Sequence, residues 1–180
     1  MLGLAAPVVC VLAVGIVRGG WFDLRVRWWP LALVALAIQI PLYSAPLDDW
    51  PMGAAIGPLT TIVTTALILV VLLRNATGRA RAASLAAASG VALNLLVITA
   101  NGGFMPRAEA LAPRPVSHPS GALSNTAPAD AETRLAWLGD TLAQPAWLPM
   151  ANLVSPGDVL LSLGAAAWVL AAWRRRAPTA

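Results

Sequence analysis

An all-α polytopic membrane protein is the fold class this sequence predicts, with five transmembrane helices and a long outer loop carrying a short amphipathic helix. Three observations predict it. Of 180 residues, 58% are apolar and 11% charged, whereas a soluble domain of this length is about 45–50% apolar and about 25% charged. Five apolar segments carry no Asp, Glu, Lys or Arg except Asp158 at the start of the fifth. The arginines gather in the connections between those segments, where they orient membrane helices.

The first segment, residues 2–17, lacks a basic leader and a small-residue cleavage site, so it reads as a retained span and not a signal peptide. Pro7-Val8-Val9-Cys10 is no lipoprotein box, and Cys10, the single cysteine, has no internal disulfide partner. The others are residues 29–43, 58–73, 82–100 and 157–173. A spanning helix needs roughly 20 residues, within about 17–25, so interfacial flanks must complete the shorter ones. Inside the segments Gln39 and Asn94 are suited to hydrogen bonds between helices. Gly15 with Gly19, Ala86 with Gly90, and the run Gly164-Ala165-Ala166-Ala167 would let helices approach closely. Trp28, Trp29, Trp50, Trp147 and Trp173 stand at segment ends, where amphipathic rings anchor in the headgroup zone.

The connections assign the sides. Arg18, Arg25 and Arg27 follow the first segment; Arg74, Arg79 and Arg81 follow the third; Arg174, Arg175 and Arg176 follow the fifth. With five spans these fall on one face, and the positive-inside rule makes that face cytoplasmic. Arg107, Arg114 and Arg134 remain on the other face, spread through the long loop. The expected localisation is a bacterial cytoplasmic (inner) membrane, multi-pass, with the N-terminus outside and the C-terminus cytoplasmic. All twelve basic residues are arginine and alanine is abundant, the mark of a GC-rich bacterial coding bias. Asn75-Ala76-Thr77 matches a glycosylation acceptor but falls on the inner side. The organisation is then residues 1–100 as a four-helix transmembrane region, 101–155 as an extracytoplasmic loop, and 156–180 as the fifth helix with a basic tail.

Ile98 to Ala110, ITANGGFMPRAEA, ends the fourth span. Gly102 and Gly103 let the backbone leave the helix, Asn101 satisfies carbonyls at its end, and Pro106 blocks continuation. Phe104 and Met105 give the turn an apolar contact. Residues 106–130 are rich in Pro, Ala and Ser and read as mobile. Residues 131–142 regain helical spacing through Leu135, Leu138 and Leu142, which predicts the short surface helix, ended by Gly139. The apolar stretch 145–150, with two prolines, is too short to span but could dip into the interface. Ser155, Pro156 and Asp158 form a helix start: N-cap, first helical residue and capping carboxylate.

The chain resembles the bacterial integral-membrane family called domain of unknown function 5317. The resemblance rests on Arg18-Gly19-Gly20, on Asn101-Gly102-Gly103-Phe104-Met105-Pro106, on Leu138-Gly139-Asp140, and on Asn152 with Ser155, Gly157 and Asp158. It departs from the family pattern at Pro156, commonly isoleucine, and in lacking an aromatic near Leu153 or Val154. The resemblance implies an integral membrane protein and no particular reaction.

Chemistry-bearing constellations are few. His118 is the sole histidine and sits in the proline-rich stretch, so a haem ligand or catalytic dyad is unsupported. No Cys/His cluster offers a transition-metal site, and Asp48-Asp49 reads as a solvated loop pair. With no Asp, Glu, Lys or Arg at mid-span, ion-coupled transport is disfavoured. The net charge of +4 comes from helix-flanking arginines, which argues against nucleic acid and for the lipid bilayer as partner. What remains is Asn101, Arg134, Asp140, Asn152 and Asp158, expected to converge as a ligand site or a structural polar network, with Arg134 pairing Asp140 or Asp158. The preferred reading is a structural or accessory subunit binding another membrane protein, more non-enzyme than enzyme. The alternative is a membrane-embedded enzyme or small-ligand sensor with an outer-face polar site. Neither reading names a cofactor or a catalytic or metal-binding residue.

Overall fold

A computed structural model of the chain describes residues 2–17, 21–22, 26–43, 51–113, 125–148 and 151–174. Arg18, Gly19, Gly20, Arg25, Asp48, Asp49, Trp50, Arg114, His118, Arg175 and Arg176 lie outside the described residues. Five α-helices form from the five apolar segments: α1 (Leu2–Val17), α2 (Trp29–Tyr43), α3 (Pro51–Arg74), α4 (Arg81–Ala100) and α5 (Pro156–Ala172).

Five transmembrane helices are nevertheless not supported. Two helical stretches, Ile56–Arg74 and Gly78–Ala100, are long and apolar enough to cross a membrane. Helices α1, α2 and α5 hold 16, 15 and 17 residues. At about 1.5 Å per residue they fall short of a hydrocarbon core of about 30 Å. The flanks of α5 that were expected to lengthen it do not continue as helix. Trp173 and Arg174, directly after α5, turn into a strand that pairs antiparallel with Trp21 and Phe22. The all-α expectation fails for the same reason: these two pairs make β6 (Trp173–Arg174) and β1 (Trp21–Phe22), and four further short strands lie in the loop.

The helices pack in the spatial order α2, α3, α4, α5, α1, with α4 and α5 in the most extensive contact. Small residues bring their backbones together. A Cβ built on Gly164 would overlap the backbone of Ala87, and one on Gly90 would overlap the backbone of Gly157 and Leu161. Gln39 donates to the Thr64 hydroxyl at 2.8 Å, tying α2 to α3. Ala83, Ser84, Ala87, Thr61 and Thr64 are buried, while Leu33, Leu59, Val63, Leu96, Leu163 and Leu170 are exposed. The stretches Ile56–Arg74 and Gly78–Ala100 are only 22% and 44% buried, so their apolar sides face outward.

Residues 106–130 contain structure where mobility was expected. β2 (Met105–Arg107) pairs in parallel with β3 (Thr126–Pro128), and residues 114–124 lie outside the described residues. The amphipathic helix expected over 131–142 is also absent. Turns lead to a single 3-10 turn, Ala136–Leu138, preceded by Leu135 in the left-handed region at φ 54. This break points Leu138 into a core with Val97, Ile98 and Met105. It also frees Asp140 to bridge Arg107 and Leu142–Ala143 (β4) to pair with Leu153–Val154 (β5). An α-helix satisfies its own backbone groups and could not have supplied those bonds.

The α4–α5 contact sets the first expected outcome. Gly164→Val should lower the thermal midpoint of the detergent-solubilised chain, overpacking costing about 1–3 kcal/mol. Gly57→Ala, whose Cβ meets nothing within 4 Å, should be neutral or stabilising by about 0.4–1 kcal/mol. Circular dichroism melting checks both, and equal shifts would contradict the close approach.

Candidate functional site

The polar residues at the end of the bundle where α4 finishes and α5 begins fall into two corners. The first begins where α4 ends. Gly103 N–H donates to the Ile98 carbonyl at 2.8 Å and Gly102 N–H to that of Thr99 at 3.4 Å, with Gly102 at φ 67. This paired closure needs a left-handed residue just past the helix, which glycine supplies without a Cβ clash. Asn101 Nδ2 donates to the Val97 carbonyl at 2.8 Å and to the Arg134 carbonyl at 2.9 Å, while its Oδ1 accepts from Arg134 N–H at 3.0 Å. Arg134 therefore joins Asn101 through its backbone. A cleft of about 190 Å³ opens beside this corner, bordered by Asn101, Phe104, Pro106, Pro128, Asp130 and Thr133.

The second corner is buried. Ser155 caps α5, accepting from Asp158 N–H at 2.9 Å, and Asp158 Oδ2 accepts from Ser155 N–H at 3.2 Å. Asn94 of α4 completes a ring, donating to Asp158 Oδ1 at 2.7 Å and accepting from the Ser155 hydroxyl at 2.8 Å. Next to it Arg107 is 8% exposed and donates through Nη2 to Asn152 Oδ1 at 2.6 Å. That same oxygen accepts from Leu153 N–H at 3.0 Å, and Asn152 N–H donates to Gln144 Oε1 at 3.2 Å. Asp140 is held by its backbone: its N–H donates to the Pro106 carbonyl at 2.8 Å, and its carbonyl accepts from Ala108 N–H at 3.1 Å. Burial, and after it the negative charge of Asp158, pushes the Asp140 carboxyl up to about 7, against the pull of Arg107.

Of the five residues singled out from sequence, Asp140, Asn152 and Asp158 thus meet in one corner, while Asn101 and Arg134 meet in the other. The guanidinium acting on Asp140 belongs to Arg107, which sequence reasoning left among the scattered loop charges. Its signal was weak: an arginine directly after the buried pair Met105-Pro106. Gln144 carried no signal. Asn94 did, as a lone amide in an apolar helix. Asn75 is also structural, its Nδ2 donating to the carbonyls of Arg27 at 2.9 Å and Val71 at 2.7 Å. Among the described residues no group of three His, Cys, Asp or Glu side chains could hold a metal.

A model of one protein family matches residues 23–170, which is most of the chain. The chain belongs to the family of unknown function DUF5317. The match takes in both polar corners and α2 through most of α5. No curated protein and no solved structure matches the chain. The two corners of this DUF5317 chain can do one thing clearly: Asn101 and the Asn94–Ser155–Asp158 ring fasten the connecting segment to the ends of α4 and α5.

The raised Asp140 pKa makes that fastening pH-dependent. Its ordinary value is 3.8, so the folded chain holds a proton that the unfolded chain releases. The associated stability is complete below about pH 4 and is lost as pH rises through about 7. Thermal midpoints should therefore fall between pH 5 and pH 8, and Asp140→Asn should flatten that dependence. An unchanged slope in the variant would show that another group titrates.

Proposed function

We propose that this protein is a membrane-associated accessory subunit that docks another membrane protein through its folded outer segment. The chemistry of the segment between α4 and α5 carries the reading: Arg107, Asp140 and Gln144 are buried in it while Trp137 and Trp147 face out, 69% and 79% exposed. Tryptophan is enriched at the centre of protein interfaces, and an inward-facing polar set keeps such a surface rigid. The outward apolar sides of α3 and α4 support insertion of this pair as a hairpin. Arg74, Arg79 and Arg81 in its turn would lie on the cytoplasmic face, leaving the outer segment on the opposite side. Arg74 also stacks over Trp28, 4.8 Å from the ring centre, a pairing suited to the headgroup zone.

One observation favours the alternative, a small-ligand sensor. Arg107 Nε is buried without an acceptor, and a ligand acceptor could fill that role. The cleft beside Asn101 is lined by Asp130 and Thr133 and not by Arg107 or Asp140, so the docking reading is preferred.

A photoreactive amino acid placed at Trp137 or Trp147 in native membranes tests the two readings. A discrete protein adduct is expected at one or both positions, and none at Leu163 on α5. Adducts to lipid alone at both tryptophans would overturn docking. Arg107→Gln with normal abundance and the adduct retained, yet a new phenotype, would favour the sensor.

A further inference from the structure

Arg107 is short of an acceptor inside the fold. Its guanidinium is buried; Nη2 donates to Asn152 Oδ1 at 2.6 Å, but Nε has no acceptor. A buried donor left unmade carries the full cost of its lost hydration. Asn152 Oδ1 does not depend on Arg107, because it also accepts from Leu153 N–H at 3.0 Å. Asn152 in turn closes a loop. Its N–H donates to Gln144 Oε1 at 3.2 Å and its carbonyl accepts from Gln144 N–H at 3.0 Å. The chain between Gln144 and Asn152 carries the exposed Trp147.

A second acceptor stands beside it. Asp140 pairs with Arg107 in parallel register, and residues opposite each other on neighbouring strands put their side chains on one face. The Asp140 carboxyl is buried. Among the described residues, the charged groups that act on it are Asp158 at the start of α5 and Arg107 on β2. Asp158 is committed elsewhere, to Asn94 and to Ser155 N–H. Arg107 therefore faces two acceptors, the neutral amide it now holds and a carboxyl that ionises at about pH 7. Once ionised, Asp140 offers two oxygens to the fork of Nε and Nη2, and hydrogen bonds of this charged kind are roughly twice as strong as neutral ones. Turning to Asp140 gives Nε its acceptor and strands nothing, since Asn152 Oδ1 keeps Leu153 N–H.

We propose that Arg107 is a two-position latch: it holds Asn152 while the Asp140 carboxyl carries a proton, and it turns to Asp140 when that proton leaves, loosening the loop that bears Trp147. The proton goes to solvent and no other group changes charge. The latch does not rest on the docking reading, and it gives the Trp147 loop a closed form at low pH and a loose one at high pH. The direction agrees with the loss of stability as Asp140 ionises.

Nuclear magnetic resonance of the full chain in detergent micelles, with labelled arginine and aspartate, provides the test. The Arg107 Nε–H signal is assigned by its loss in Arg107→Lys. It should move downfield with a midpoint at about pH 7, in step with the carbon-13 shift of the Asp140 carboxyl. Over the same range the hydrogen-exchange protection of Gln144 N–H, corrected for the intrinsic rate, should fall roughly tenfold, the equivalent of one lost hydrogen bond. Asp140→Asn should abolish both changes. Asn152→Asp, which places a carboxylate on the present partner, should keep Arg107 there and preserve Gln144 protection. An Nε–H signal that stays fixed while the Asp140 carboxyl titrates overturns the latch, and this pair of signals decides on the wild-type chain alone if a variant fails to fold. An Nε–H shift with Gln144 protection unchanged overturns the loosening of the loop, and an undiminished fall in Asn152→Asp overturns the exchange of partners.

Discussion

Asn94 stands about two-thirds of the way along α4, on an otherwise apolar helix, and its side chain is spent entirely on α5. It donates to Asp158 and accepts from Ser155, the two residues that cap α5 against each other. An unpaired amide among apolar neighbours costs roughly 1–3 kcal/mol, so α4 and α5 have one register in which all three groups are satisfied. Close approach is the condition for that register. Gly157 faces Asn94 and Gly90, and a Cβ there would overlap the Asn94 amide oxygen. Gly164 faces Ala87 about two turns further on. Glycine supplies the distance and the hydrogen-bonded ring supplies the alignment.

The outer segment depends on this junction. Leu153 and Val154, immediately before the α5 cap, form the strand that holds Leu142 and Ala143. Asn152, one residue earlier, holds the Arg107 guanidinium. From Arg107 the path continues through its bridge to Asp140 and its strand with Pro128. Displacing the start of α5 would therefore release the strands on both sides. Asp140 sits in the middle of that path, close enough to Asp158 to feel its charge, which couples the protonation of the loop to the cap of the helix.

The surface is inverted with respect to a water-soluble bundle. Thr61, Thr64, Ser84, Asn94 and Ser162 are buried within the helices, and many large apolar side chains, among them Leu33, Leu59, Val63, Leu96, Leu163 and Leu170, are exposed. In water this arrangement would forfeit the burial that drives folding; in hydrocarbon, helices associate through close packing and interhelical hydrogen bonds. The segment between α4 and α5 packs Met105 and Leu138 against Val97 and Ile98 of α4.

The sequence by itself determined where the helices lie, how α4 closes at Asn101-Gly102-Gly103, and how α5 opens at Ser155-Pro156-Gly157-Asp158. These are local events: hydropathy acts along a continuous run, and a cap or a glycine turn is settled within about five residues. It also marked Gln39 and Asn94 as interhelical donors, since an amide in an apolar helix has few other partners. Tertiary structure decided the rest. Leu135, Leu138 and Leu142 have helical spacing, yet Leu138 goes to the core and Leu142 to a strand, because contacts with Val97 and Val154 outweigh local propensity. Which arginine is buried, Arg107 or Arg134, rested on pairings with Asn152 and Asn101 that lie 45 and 33 residues away. The end of α5 is likewise set where Trp173 pairs with Phe22 across most of the chain, a partnership that no local pattern encodes.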